Sequence, residues 1–128
     1  MSVPADLKYT KEHEWIRLKG NTGVIGVTHF AADQLGDIVF VDLPPAGKTS
    51  KQMDVLFTVE SVKAVSDIYA PVSGKVTRVN PALSGKPELV NTDPYGEGWM
   101  VEIELSNPAE ASTLLTPADY ETHISDKK

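Results

Sequence analysis

One amine in this chain stands in a setting where it could be modified. Lys63 lies in Glu60-Ser61-Val62-Lys63-Ala64, between two apolar neighbours, with the carboxylates of Glu60 and Asp67 on either side. Val55, Phe57 and Val59 recur at every second position, the period of a half-buried strand, and a second β-rich run from Val65 to Tyr69 comes soon after. The spacing predicts a hairpin with Lys63 near its tip. There the ammonium stays in water, whereas uncompensated polar burial costs about 2–7 kcal/mol. A protruding lysine is available for acylation, although a lysine in a turn can also be only a solubilising charge.

Other chemistries find less support. His13, His29 and His123 are scattered without metal-ligand spacing, so no metal is expected. The chain has no cysteine, hence no disulfide and no thiol nucleophile of its own. Gly47-Lys48-Thr49 invites comparison with a phosphate-binding loop, but the glycine required five residues earlier is Asp42, and Pro44-Pro45 stand where amide donors should be. Neither a Gly-x-Ser-x-Gly elbow nor a Gly-x-Gly-x-x-Gly loop occurs. The polypeptide reads as a carrier rather than an enzyme. A net charge of −6 argues against nucleic-acid partners, which need a basic face. No apolar run approaches the roughly 20 residues that span a bilayer. The first residues lack the core of a secretory signal, so a cytoplasmic location is expected.

The elements that must position the lysine hairpin can be traced along the chain. Leu7 to Gly20 and Gly23 to Val27 read as a hairpin turning at Gly20-Asn21. Thr28 can cap a short helix over residues 29–35, ended by Gly36 in a left-handed conformation. Ile38 to Val41 is expected to be a buried strand, Gly74 to Asn80 another strand, and Pro81 to Pro87 a loop. A turn-rich loop, Asn91 to Trp99, leads into a strand from Met100 to Leu105. Asn107-Pro108 and Thr116-Pro117 open two short C-terminal helices, with Leu114, Leu115, Tyr120 and Ile124 as inward anchors. Gly36-Asp37-Ile38 and Ser66-Asp67-Ile68 echo each other, each opening a strand that leads through proline to a Gly-Lys turn. Two similar halves fit a mainly β fold, a flattened barrel or sandwich of two antiparallel sheets. At 128 residues the chain is expected to be one domain, 1–128, with its core over about 7–124.

Glu60-Ser61-Val62-Lys63-Ala64, together with Ser66-Asp67-Ile68-Tyr69-Ala70-Pro71-Val72-Ser73-Gly74, looks like a lipoyl-attachment hairpin. It resembles in particular that of the H-protein family of glycine cleavage systems. The loop Asp93-Pro94-Tyr95-Gly96 to Trp99 is similar to the same family, and the resemblance runs from about Leu7 to Ile124. Biotin carriers fit less well, since no methionine flanks Lys63.

The resemblance implies a lipoyl/biotinyl-type fold and lipoate in amide linkage to Lys63. The arm would take the aminomethyl group of decarboxylated glycine from a pyridoxal-phosphate glycine decarboxylase to an aminomethyltransferase. Dihydrolipoamide dehydrogenase would then reoxidise it. It further implies an acidic residue against the cationic amine, at the matching positions Glu14 and Asp67, and recognition by the lipoyl-attaching enzyme through Glu60 and Gly74. Each has a plainer alternative: an outward strand carboxylate for Glu14, a turn acceptor for Asp67, a strand-end charge for Glu60 and a turn glycine for Gly74. Met53 departs from the family, many of whose members have glycine there, as does Gln34, where histidine can occur. A shuttle that presents one arm to several enzymes is expected to be a monomer. An H-like relay delivering lipoyl groups to other enzymes, or an unmodified β-rich interaction module, are the competing readings.

Overall fold

A computed structural model describes residues 3–125. The chain opens with β1 (Lys8–Tyr9), β2 (Glu14–Lys19) and β3 (Thr22–Val27), then α1 (His29–Leu35) and β4 (Ile38–Asp42). A short β5 (Thr49–Ser50) precedes the hairpin of β6 (Val55–Ser61) and β7 (Val65–Tyr69), and β8 (Gly74–Val79) comes next. Two helical turns, α2 (Ala82–Gly85) and α3 (Leu89–Thr92), lead to β9 (Val101–Leu105), a 3-10 turn over Pro108–Thr113 and α4 (Pro117–Ser125).

The strands form two antiparallel sheets rather than a closed barrel. The larger runs β1-β2-β3-β9-β8-β5 and the smaller β4-β6-β7, with β6 central. Alternation along the strands sends one face of each sheet inward, so Ile16, Ile25 and Ile103 of the large sheet share a core with Val41, Val59 and Ile68 of the small one. A second cluster, built on Tyr9, Trp15, Phe30, Tyr120 and Ile124, holds α1 and α4 against the first hairpin. Among the described residues no helix is long and apolar enough to cross a membrane.

The expected helix over 29–35 is present, with Thr28 Oγ1 accepting the Ala31 N–H at 3.2 Å. Gly36 ends it at φ 80° and ψ −159°, not the left-handed helical region but a mirror-extended one open essentially only to glycine. That backbone sends the chain straight into β4.

Four local expectations are corrected. Val39 and Phe40 are 48% and 52% exposed, because a β-bulge between Ile38 and Phe40 turns both outward on an edge strand. Val55 is exposed for the same reason, an irregularity between Val55 and Phe57. The segment from Pro81 contains α2, which buries Leu83, and the next loop contains α3, which buries Val90. Asn107 makes no side-chain cap, and the residues after it form a 3-10 turn, whereas Thr116 Oγ1 does accept the Asp119 N–H at 3.1 Å.

Candidate functional site

The Lys63 turn is built by Ser61. Its Oγ accepts the N–H groups of Lys63 and Ala64, each at 3.1 Å, while its own N–H donates to the Ala64 carbonyl at 2.8 Å. Val62 N–H donates to Asp37 O at 3.0 Å, tying the tip to the loop after α1. Lys63 is exposed, and its stem crosses Gly36: a Cβ added there would lie 3.3 Å from Lys63 Cε and 3.6 Å from Nζ. Among the described residues Nζ has no hydrogen bond or ion pair.

Two cavities flank α1, and the smaller is lined by Gly36, which this stem crosses. The larger, about 330 Å³, has apolar walls from Val27, Phe30, Ala31, Leu35 and Ile68. Glu12, His13, Gln34 and Asp67 add polar groups to its wall. It is bounded by the end of α1 and by β7, the strand leaving the Lys63 turn. The smaller, about 230 Å³, is polar, with His29, Asp33, Asp37 and Asn91 around Gly36.

The wall at His13 is held from the other end of the chain. Tyr120 of α4 is buried and stacked on Tyr9 at 4.7 Å between ring centroids. Its hydroxyl lies 2.9 Å from His13 Nδ1 and 2.7 Å from Thr28 Oγ1, so one phenol fixes both the cavity histidine and the cap of α1. Burial above all holds that phenol's pKa above its ordinary value. His13 also packs on Phe30 at 4.8 Å and His123 at 5.7 Å, and adopts φ 75° at the turn into β2.

The residues singled out in the sequence fall in different places. Asp67 is exposed in the cavity wall, and Glu60 is exposed on the outer face of β6. Lys63, Glu60 and Asp67 therefore share one hairpin. Glu14 is not outward, being fully buried, and it lies outside the cavity lining. Its Oε1 accepts the Thr10 hydroxyl and its Oε2 the Tyr69 N–H at 3.1 Å. Burial pushes its pKa from 4.5 up to about 7, with the Thr10 and Tyr69 hydrogen bonds opposing. Gly74 is buried in β8 of the other sheet, where a Cβ would collide with the Glu104 carbonyl oxygen.

Glu12, His13 and the apolar wall of α1 were not singled out from the sequence, and neither was the Tyr120 hydroxyl. The adjacency of Glu12 and His13 to Glu14 was the available signal. Which of three consecutive polar residues faces a cavity depends on the turn before β2, which the sequence does not announce.

Residues 7–127 match the family model described as glycine cleavage H-protein. The chain is 61% identical over 120 residues to a glycine cleavage system H protein of Symbiobacterium thermophilum, covering 94% of each chain. A glycine cleavage system H protein of Carboxydothermus hydrogenoformans is 58% identical, over 93% of this chain and 92% of that one. The crystal structure of a glycine cleavage system H protein from Mycobacterium marinum superposes with a TM-score of 0.88 at 37% identity, covering 96% of this chain and 99% of that one.

Proposed function

The chain belongs to the glycine cleavage H-protein family, and on that premise we propose that Lys63 carries lipoate in amide linkage, with the cavity between α1 and β7 as the resting place of the arm's end. The family's members are carriers within the glycine cleavage system, and this chain is a carrier rather than a catalyst. The observation that supports the assignment is Lys63 itself, exposed at the hairpin tip, unpartnered at Nζ among the described residues, with its stem crossing Gly36 at the end of α1.

The residues present fit the group. Acylation joins Nζ to an activated acyl carbon, breaks the bond from that carbon to its leaving group and releases a proton from nitrogen, and nothing near Nζ has to move to free it. When bound, lipoate supplies a reversible disulfide that accepts the aminomethyl group at the pyridoxal-phosphate glycine decarboxylase, yields it at the aminomethyltransferase and is reoxidised by dihydrolipoamide dehydrogenase.

The chain's own residues then bind and shield. Phe30, Leu35 and Ile68 offer apolar contact, which favours the larger cavity over the polar one across α1. Asp67 and Glu12 supply negative charge for a cationic amine at the polar end, and His13 borders them. An exposed ion pair is worth only about 0.2–1 kcal/mol, so the hold depends on how far the cavity excludes water. Exclusion also slows hydrolysis of the cargo. Glu14 acts at one remove, fixing β7 through Tyr69. Glu60 is the recognition residue for the lipoyl-attaching enzyme, and Gly74 lets β8 pass close to the Glu104 carbonyl of β9 where no side chain fits. The protein works as one domain, a cytoplasmic monomer that meets its partners in turn.

The test compares wild type with Lys63→Arg in a reconstituted glycine cleavage assay after treatment with a lipoyl-attaching enzyme. The variant should keep its circular dichroism spectrum and lose glycine-dependent turnover. Retained turnover in the arginine variant contradicts the assignment.

A further inference from the structure

Asn91 of α3 makes two side-chain hydrogen bonds to the segment that the Lys63 stem crosses. Its Oδ1 accepts the Ile38 N–H at 2.9 Å, and its Nδ2 donates to the Gly36 carbonyl at 2.8 Å. One planar amide thus satisfies a carbonyl and an N–H two residues apart, which neither an ionised carboxylate, an acceptor only, nor an aliphatic side chain can do. Between these two groups the Asp37 carbonyl accepts the Val62 N–H at 3.0 Å, the bond that ties the lysine turn to the end of α1. Lys63 Cδ, Cε and Nζ lie 3.7, 3.3 and 3.6 Å from where a Gly36 Cβ would stand, so the outer half of the stem rests on the residue whose carbonyl Asn91 holds. Gly36 is fixed from the other side by its own N–H on the Ala32 carbonyl at 3.0 Å. Asn91 in turn is anchored by its neighbour Val90, fully buried in the main core.

We propose that Asn91 is a positioning residue for Lys63: by clamping the crossing from Gly36 to Ile38 it sets where the turn, and with it Nζ, stands when the acyl group is delivered. The proposal rests on the reading of Lys63 as the lipoylated residue. Glycine has the widest backbone freedom of any residue, and Gly36 has no side chain of its own to hold it at φ 80° and ψ −159°. Release of its carbonyl and of the Ile38 N–H lets the crossing shift, and the Val62 tie carries that shift to the lysine turn. Acyl transfer is sensitive to such a shift, since a misplacement of about 1 Å can cost on the order of 100-fold in rate. The loss falls on turnover rather than on binding, because among the described residues the side-chain hydrogen bonds of Asn91 go to the crossing and none to the hairpin.

The test uses the full-length unmodified chain, a purified lipoate ligase, lipoate and ATP, with the mass increase read over time. Asn91→Asp keeps an acceptor for the Ile38 N–H but cannot donate to Gly36, and Asn91→Ala loses both bonds. Each should lower kcat for the carrier at least fivefold while KM stays within twofold of wild type. Thr92→Ala, exposed on the same turn, loses only a bond to the Glu88 carbonyl; it serves as the control and should change neither. In amide exchange both Asn91 variants should lose protection at Val62 while the β9 amides keep theirs, which separates a local release from general unfolding. In wild type itself, a nuclear Overhauser contact between Gly36 Hα and Lys63 Hε should be present, and it should weaken in both variants. Absence of that contact from folded wild type overturns the proposal without any variant. So does an unchanged kcat, a rise in KM at unchanged kcat, which makes Asn91 a contact of the partner, or an equal loss in Thr92→Ala, which makes turn stability the cause. If wild type gains no lipoyl mass, the reading of Lys63 fails, and the role of Asn91 with it.

Discussion

Glu14 Oε2 accepts the backbone N–H of Tyr69 at 3.1 Å, so a fully buried carboxylate on β2 of the large sheet holds the strand that leaves the Lys63 turn. Its pKa is near 7 in the folded protein against an ordinary 4.5, which makes the native state the stronger proton binder between those values. Stability from this group is therefore complete below about pH 4.5 and falls as pH rises to about 7. That difference is worth on the order of 3 kcal/mol. Glu14→Gln removes the titrating group and with it this slope, at the cost of one of the two hydrogen bonds, because an amide has one acceptor oxygen where the carboxylate has two. Urea unfolding of both proteins from pH 4.5 to 7.5 checks it, and parallel pH profiles would count against a raised pKa.

Tyr120→Phe should separate the hydroxyl's role from that of the ring. The ring stays stacked on Tyr9, but His13 Nδ1 and Thr28 Oγ1 lose their shared partner. Thr28 Oγ1 keeps the Ala31 N–H, so the cost is that of the phenol's own hydrogen bonds, about 0.5–1.5 kcal/mol each, which denaturant unfolding can measure. With the His13 wall loosened, aminomethyl-loaded protein should release formaldehyde faster than wild type while ligase kinetics stay the same. Equal release rates would show that the cavity wall does not depend on this phenol.

Met53 adopts φ 71°, a left-handed backbone that costs a side-chain-bearing residue about 1–2 kcal/mol. It is 45% exposed, so little packing opposes its replacement. Met53→Gly should stabilise the protein by about 0.5–1 kcal/mol, the relief of strain less glycine's own entropy cost. A thermal melt at higher temperature is the expected result, and a lower one would show that Met53 packing outweighs its strain.

Gly74→Ala should be severe. The added methyl would meet the Glu104 carbonyl oxygen, a backbone atom that cannot rotate away, and the β8–β9 ladder must open. Overpacking of this kind costs about 1–3 kcal/mol or more. Loss of lipoylation in this variant should track its unfolding in hydrogen exchange of β8 and β9. Lost lipoylation with an intact β8–β9 ladder would instead make Gly74 a direct contact of the attaching enzyme.

Much of the frame was legible in the residues. The period of two through Phe57 and Val59, the short gap to Val65 and the Thr28 and Gly36 signals placed the lysine hairpin and the helix beside it. What the sequence hid was whatever depends on a single extra residue or a distant partner. The β4 bulge reverses the facing of Val39 and Phe40, and a one-residue shift flips every side chain it touches. Glu14 read as a surface or cleft carboxylate, because the Thr10 hydroxyl and the Tyr69 amide that allow its burial come from a neighbouring turn and from the other sheet. Tyr120 read correctly as an inward anchor, but its hydroxyl contacts lie 107 and 92 residues away in the chain. No local pattern encodes such contacts.

The most direct test of the central claim is intact and peptide mass spectrometry of the protein from lipoate-sufficient cells. One lipoyl group per chain is expected, on the peptide containing Lys63. A protein that carries no such group there, even after incubation with a competent lipoyl-attaching enzyme, lipoate and ATP, would contradict it.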